Sequence, residues 1–442
     1  MNYLRILQNS LQHMRIKIFF LAVFIFQFLN SFAQPRYKAI KAGKLIDVVS
    51  GTVLTNQIIL IESDTIVDIG PSVKIPSDAE IIDLSKSTVL PGLIDCHTHL
   101  TSEPSGDYYA DLFRKTPVDY AVLAPTFAKR TLEAGFTTCR DVGAAAFVDV
   151  ALRNAINEKK IPGPRILAAT IFIGSTGSHG DISGFSPYLH WQMPENMSGV
   201  ANGVEGVRKQ VRYNVKYGAD LIKFGAGAGV LSEEESVGAP QYTQEEMNAI
   251  VEEAAMWGRK TCAHAHGTES IKMAVKAGVA SVEHGSFLDD EAIRMMREKG
   301  TYLVADIYND DYIMSEYKRL GYPDKILEKE RLVGKTQRES FAKAVKAGVK
   351  IAFGTDAGVY PHGWNAKQFK YMVQYGLTPI QAIQAATVQA ADLLGWTAKV
   401  GSISKGKYAD IIAVPSNPLD NIQVLETVSF VMKGGEIILS KK

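Results

Sequence analysis

The sequence predicts an α/β chain built around a (β/α)8 barrel, with a small β-sandwich domain contributed jointly by the two termini. Three observations lead there. Strand-like runs alternate with helical patterns through the middle of the chain, and similar β-rich segments without such helices occur only at its two ends. Histidine, lysine and aspartate recur where the central strand-like runs stop. Alternating strands and helices indicate a parallel sheet covered by helices, and barrels of this kind carry their chemistry at the C-terminal ends of the strands.

The bounds agree. The chain has 442 residues, 46% hydrophobic and 21% charged, an ordinary globular composition long enough for one large domain and a smaller one. The formal net charge is +1 and no basic block is present, so nucleic acid is not an expected partner. Arg5, Arg15 and Lys17 precede the apolar run Ile18 to Leu29, which is followed by Ser31-Phe32-Ala33. That pattern reads as a secretory signal over residues 1–33, cut after Ala33. The run is short for a membrane span, and no Cys directly follows it for a lipid anchor. The mature protein is therefore expected to be periplasmic or secreted, with no stable membrane anchor after cleavage. Cys96, Cys139 and Cys262 are odd in number, each in a strand-like run, and read as buried free thiols rather than a disulfide framework.

Taken in order, residues 34–90 form the first part of the sandwich. Ala39–Ile46, Gln57–Ile61 and Thr65–Ile69 are short β-rich runs separated by Gly, Ser, Asn and Asp, an antiparallel meander. Thr88–Asp95 reads as a buried strand and opens the barrel, residues 91–395. Seven further runs follow: Phe136–Arg140, Arg165–Ile173, Asp220–Phe224, Lys260–His264, Ala280–His284, Thr301–Asp306 and Lys350–Gly354. Helical patterns such as Thr243–Gly258 and Glu269–Gly278 lie between them. Residues 396–442 supply the second part of the sandwich through Tyr408–Val414 and Val428–Met432, with Gly434-Gly435 as the last turn.

His97 and His99, two apart on the first barrel strand, project from the same face. Such a pair is weak evidence alone, but the other strand ends supply partners. Lys223 lies in the fourth, His264 ends the fifth, His284 the sixth and Asp356 the eighth, with His266 two residues beyond His264. Imidazole and carboxylate suit zinc. Four His and an Asp exceed the needs of one tetrahedral ion, which favours two divalent ions about 3.5–4 Å apart sharing a hydroxide. A lysine among cations is favoured as the neutral amine. That amine can take up CO₂ to give a carbamate (N6-carboxylysine), an anion able to bridge two metals. The plainer roles are a strand-end cation meeting a carboxylate for Lys223 and a helix N-cap for Asp356.

Pro91-Gly-Leu-Ile-Asp-Cys-His-Thr-His99, Ile222-Lys-Phe224, His264-Ala-His-Gly267, Glu283-His-Gly285 and Gly354-Thr-Asp-Ala-Gly358 resemble the motifs of the amidohydrolase superfamily. So do Gly401–Asp410 and Met432–Gly435 near the C-terminus. The Lys on strand four with His-Ala-His on strand five is similar to the prolidase-like dipeptidases and carboxypeptidases, a group that includes the enzyme hydrolysing the amide of ochratoxin. The resemblance implies His97 and His99 on one metal, carboxylated Lys223 bridging, and His264 and His284 on the second. Asp356 would serve as ligand and general base. His264 is assigned as the ligand because it ends the strand, and His266, further out, as a substrate contact. The expected activity is that of a dinuclear metal-dependent amidohydrolase. A metal-bridging hydroxide would attack the amide of a small substrate, a dipeptide or an N-acyl amino acid. A homo-oligomer is expected by analogy.

Around the site, His179 follows the third strand in a long connection reaching about Asn202. It resembles the substrate-contacting histidine of the prolidase-like group, which would polarise the scissile carbonyl or hold the substrate carboxylate; its plainer role is a loop hydrogen bond. Arg140, ending the second strand, either reaches a substrate carboxylate or makes an internal salt bridge. Tyr308, after the seventh, either lines the pocket or packs. His362 follows Asp356 closely, as a support to the site or an exposed residue, and His190 carries no signal. Two rivals remain. One is a cyclic-amide hydrolase of the imidazolonepropionase type, whose mononuclear pattern lacks Lys223. The other is a binding protein that kept the barrel, against which no metal ligand is missing.

Overall fold

The computed structural model describes residue 14 and residues 37–441, apart from 107, 182–185, 187, 189–195, 233 and 235. The expected leader apart from residue 14, its expected cut after Ala33, and His190 lie outside the described residues. Four strands open the chain: β1 (Tyr37–Asp47), β2 (Thr52–Glu62), β3 (Thr65–Gly70) and β4 (Glu80–Pro91). β1, β2 and β3 pair antiparallel, as a meander should, but β4 returns parallel to β1. A pure meander is thereby corrected, because residues 71–79 carry the chain back to the starting side of the sheet.

The apolar run Thr88–Asp95 is two strands. Its first half finishes β4 and its second begins β5 (Leu93–Thr98), the first barrel strand. Gly92 stands at the break, where a Cβ would lie 2.1 Å from Thr137 Oγ1. Only a residue without a side chain passes there.

β6 (Phe136–Asp141) and β7 (Arg165–Ala168) continue from β5 in parallel. β8 (Leu221–Gly225), β9 (Lys260–Ala265), β10 (Ser281–His284) and β11 (Tyr302–Val304) form a second parallel set. Backbone bridges close the ring. Ile173 N–H donates to Lys223 O (3.1 Å) and Gly225 N–H to Ile173 O (2.9 Å). On the other side, the eighth extended segment bonds both neighbours, with Leu303 N–H on Lys350 O (2.8 Å) and Cys96 N–H on Phe353 O (2.9 Å).

The sequence-predicted helices are present over Gln244–Met256 and Thr268–Ala277. The first begins in a capping box, Thr243 with Glu246, and the second ends on Gly278 at φ 100°, both ordinary helix boundaries. Met247, Ile250 and Ala254 turn inward to the core between helices and strands. Ile94, Cys96, Leu167, Cys262 and Val304 fill the barrel interior, where each fully buried aliphatic side chain stabilises by about 1.5–3 kcal/mol. All three cysteines are free and buried.

The C-terminus adds β12 (Ile411–Val414), β13 (Phe430–Lys433) and β14 (Glu436–Ser440) to the first sheet, giving the order β14-β13-β12-β4-β1-β2-β3. The expected sandwich is realised as this single sheet curled on itself. A bridge from Thr65 to Tyr408 ties its β3 side to the segment before β12, around a core of Ile40, Leu45, Ile59, Ile411 and Phe430. Among the described residues no helix is long and apolar enough to cross a membrane.

Candidate metal centre

The barrel brings the strand-end residues together. Ligand atoms of His97, His284 and Asp356 lie within 4.8 Å of one another, and so do those of His264, His266 and His284. The two groups share His284. His284 (φ 71°) and Asp356 (φ 56°) both sit in the left-handed backbone region, a strained conformation of about 1–3 kcal/mol that persists only where the surroundings impose it.

Four of the imidazoles are aimed by a bond to Nδ1. His97 Nδ1 meets Glu283 Oε2 (2.9 Å), His99 Nδ1 meets Gly143 O (2.9 Å), His284 Nδ1 meets Asp306 Oδ1 (2.8 Å) and His266 Nδ1 meets Ser286 Oγ (2.7 Å). Their Nε2 atoms are left for the cavity, the arrangement that orients metal-binding histidines. His97 Nε2 and His99 Nε2 lie 3.3 and 3.2 Å from Asp356 Oδ1. His264 has a buried Nε2 with no hydrogen-bond partner among the described residues. A buried unpaired ring nitrogen among other imidazoles is costly, and a donor set of this composition fits divalent cations.

The electrostatics favour ligating forms. Burial, then the crowding of His179, His284 and Lys223, holds His264 well below the usual histidine range; burial and His284 do the same for His266. Both rings are thus neutral. Burial alone would raise the Asp356 carboxyl, but His97 and His99 pull it well below the carboxylate range. Lys223 is 1% exposed. Its Nζ faces the Phe172 ring, 5.8 Å from the centroid, and among the described residues no carboxylate forms an ion pair with it. A strand-end cation paired with a carboxylate is therefore not what the fold builds.

His179 stacks on His264 with ring centroids 4.1 Å apart. Ser232 gives its hydroxyl proton to Glu234 Oε1 (2.6 Å), so its oxygen accepts from His179 Nδ1–H (2.7 Å). Burial pushes the ring down to about 4, leaving a neutral imidazole whose Nε2 has no hydrogen bond among the described residues. Gly229 makes this approach feasible, because a Cβ there would meet the His179 ring at 2.4 Å and His264 Nε2 at 2.8 Å.

Two expected substrate contacts lie elsewhere. Arg140 is a barrel-interior residue, 3% exposed, with Nη2 on Glu283 Oε1 (2.8 Å), Nη1 on Ser281 Oγ (3.0 Å) and Nε on the Cys96 carbonyl. With each of its three nitrogens bonded inside the barrel and its side chain not among those lining the cavity, Arg140 is held away from substrate. Tyr308 packs against Tyr360, centroids 4.9 Å apart, in an aromatic cluster with Tyr312 and Tyr371, because its helix turns the ring away from the cavity. His362 is buried under His99, its Nε2 3.2 Å from His99 O and 3.0 Å from Ser102 O. Sequence reading missed Glu283 and Asp306, which hold His97 and His284, although both are carboxylates at barrel-strand ends. The cavity, about 370 Å³, is lined by the histidines, Lys223 and Asp356 together with Val230, Ile313, Glu330 and Val333.

Comparison with known proteins places the molecule. The Amidohydrolase family profile matches residues 88–438. Ochratoxinase of Aspergillus niger is 33% identical over 428 residues, 91% of this chain and 87% of that protein. The crystal structure of a Xaa-Pro dipeptidase with bound methionine superposes with a TM-score of 0.87 at 43% identity, covering 91% of this chain and 99% of that one. A prolidase complexed with N-methylphosphonate-L-proline gives 0.84 at 30% identity, covering 92% and 100%. Since profile, sequence and fold agree over most of the chain, it belongs to the amidohydrolase family, in its prolidase-like group, and is a hydrolase of amide or peptide bonds.

Proposed function

We propose that the protein is a dinuclear metal-dependent dipeptidase or carboxypeptidase acting on dipeptides or N-acyl amino acids. The observation that carries this is the pair of ligand groups sharing His284, which offers two adjoining cation positions in one buried cavity. His97, His99 and Asp356 would hold one ion, His264 and His284 the other, and Lys223, as N6-carboxylysine, would bridge them. Lys223 is buried and among the described residues its amine pairs with no carboxylate, which suits such a modification. Two divalent ions there, most simply zinc, supply Lewis acidity to the scissile carbonyl and lower the pKa of water.

The chain's own groups do the rest. Asp356 accepts the proton of the attacking water and returns it to the leaving amine nitrogen. His179, neutral in the free protein, meets an incoming carboxylate whose charge favours the imidazolium, from which Nε2–H donates. His266, held by Ser286 (2.7 Å), lies beside His264 and faces substrate or completes the second ligand group. Export to the periplasm or medium and assembly into a homo-oligomer belong to the same reading. The relatives support the substrate class by what they act on: a Xaa-Pro dipeptidase and an ochratoxinase.

The test is metal content measured together with amino-acid release from Xaa-Pro, Xaa-Arg/Lys and N-acyl amino acid substrates. About two equivalents of zinc with cleavage of one class is the expected result. A reconstituted protein that holds two metals yet cleaves none of them would overturn the substrate reading, and one that holds none would overturn the centre.

A further inference from the structure

One buried acid in the cavity has no part in the chemistry above. Glu330 is 3% exposed, sits on the helix Asp324–Ala347 and lines the same cavity as the histidines. Among the described residues its carboxyl makes no hydrogen bond and no ion pair. The cations around it are committed elsewhere. Lys329 Nζ donates to the carbonyls of Gly229, Ser232 and Glu234 at 2.8, 2.8 and 2.9 Å. Arg338 pairs with Asp310 (3.1 Å) and Asp311 (2.6 Å) and donates through Nε to Ile307 O (3.0 Å). The other charges facing Glu330 are acidic: Asp310, Asp306 and Asp356. A largely buried carboxyl set unpaired among acids is expensive, and groups perturbed in this way cluster at functional sites.

Its position relative to the centre follows from the helix. Glu330, Val333 and Gln337 lie on one face, and Gln337 Nε2 donates to Asp306 Oδ1 (2.8 Å), the same oxygen that holds His284. Seven helical residues rise roughly 10 Å, about three extended residue lengths. Glu330 therefore stands beyond the metal ligands, on the wall where the far part of a small substrate would lie, flanked by Ile313 and Val333.

We propose that Glu330 is the anionic wall of a subsite for a primary ammonium of the substrate, so that cation-bearing amides are preferred over neutral N-acyl amino acids. This rests on the reading of the cavity as the place where a small amide binds. The ammonium is either the α-amino group of a dipeptide or that of a basic side chain; both offer the same charge and hydrogen bonds. Without metal ions, burial, then Asp310 and Asp306, pushes the carboxyl up to about 8 against Arg338, and a cation arriving beside it favours the carboxylate and the release of any proton it holds.

Three non-hydrolysable probes separate the cases on the zinc-loaded full chain: 2-aminohexan-1-ol, 6-aminohexan-1-ol and the neutral 1-hexanol. Calorimetry in buffers of different ionisation enthalpy reads affinity and proton release together. The expected result near pH 7 is that one amine binds roughly 10- to 100-fold more tightly than hexanol, the range of a charge-assisted hydrogen bond, with proton release. Glu330→Gln removes both the advantage and the release. A preference for the 2-amino probe identifies the α-ammonium, and one for the 6-amino probe a side-chain ammonium. No advantage of either amine in the wild type, or an advantage that survives Glu330→Gln, overturns the proposal. Glu330→Ala provides a second variant should the glutamine form fold poorly. Failure to cleave any dipeptide would count against the proposed function and leave the probe measurement to decide Glu330.

Discussion

Replacing Glu283 by Gln keeps the shape of the side chain and removes its charge. That carboxylate is fully buried and accepts from Arg140 Nη2 (2.8 Å), Ser281 Oγ (2.5 Å) and His97 Nδ1 (2.9 Å). The substitution strands a buried guanidinium without its counter-charge, a loss of about 3–5 kcal/mol. It also weakens the grip on His97, which should lower metal affinity roughly 10- to 100-fold. Urea midpoints of the metal-free chain at neutral pH, at constant slope, read the first effect; zinc competition against a chelator reads the second. The sign of the pH dependence follows as well. Burial would raise the Glu283 carboxyl, but Arg140 and His97 hold it below its ordinary 4.5. Its stabilisation is therefore complete above that value and lost as pH falls through the depressed one, and the Gln variant should lack this component of acid sensitivity. Replacing both Arg140 and Glu283 by Met should recover much of the stability, because an apolar pair leaves no stranded charge. A Glu283→Gln protein with the wild-type midpoint and zinc affinity would refute the account. If Arg140→Met raised KM without loss of stability, the substrate-contact role would return.

Asp356→Asn should lower turnover by orders of magnitude while much of the metal stays bound, and unchanged kcat would remove its role as base. Lys223→Ala should lose the metal pair, so two equivalents retained on metal analysis would show that no lysine bridge is needed. Gly229→Ala should displace His179 and His264, whose atoms lie 2.4 and 2.8 Å from the new Cβ, lowering kcat/KM at least tenfold by the usual sensitivity of positioned groups; full activity would show that the loop gives way. Glu330, with its carboxyl pushed up from 4.5 to about 8, holds a proton in the folded chain that the unfolded chain has released. Stability of the metal-free protein should therefore fall as pH rises through that window, by an amount on the order of a few kcal/mol. Urea midpoints across pH 5–8 should show a shallower fall in Glu330→Gln, and parallel curves would remove the effect.

The repeating pattern of the chain was enough to lay out the barrel and the terminal sheet, because strand and helix periodicities are local properties of neighbouring residues. The break inside Thr88–Asp95 was not legible. It depends on Gly92 slipping past Thr137, a residue 45 positions away, and on Asp410 accepting the Gly92 N–H (2.8 Å). The parallel return of β4 onto β1 was hidden for the same reason.

At the site, the types and strand-end positions of His97, His99, Lys223, His264, His284 and Asp356 were determined by the sequence itself, since residues that end successive barrel strands must face one mouth. What each neighbouring polar residue does there was decided only by the tertiary structure. Arg140 ends a strand as the histidines do, yet the barrel's curvature and the Glu283 carboxylate draw it inward. Tyr308 follows a strand, yet its helix packs it among tyrosines. Glu330 lies on a long helix far from every motif, and only the closing of the barrel brings it to the cavity that the histidines line. Motif spacing reports the direction in which a strand points; partners, burial and charge arise from segments that meet only when the chain has folded.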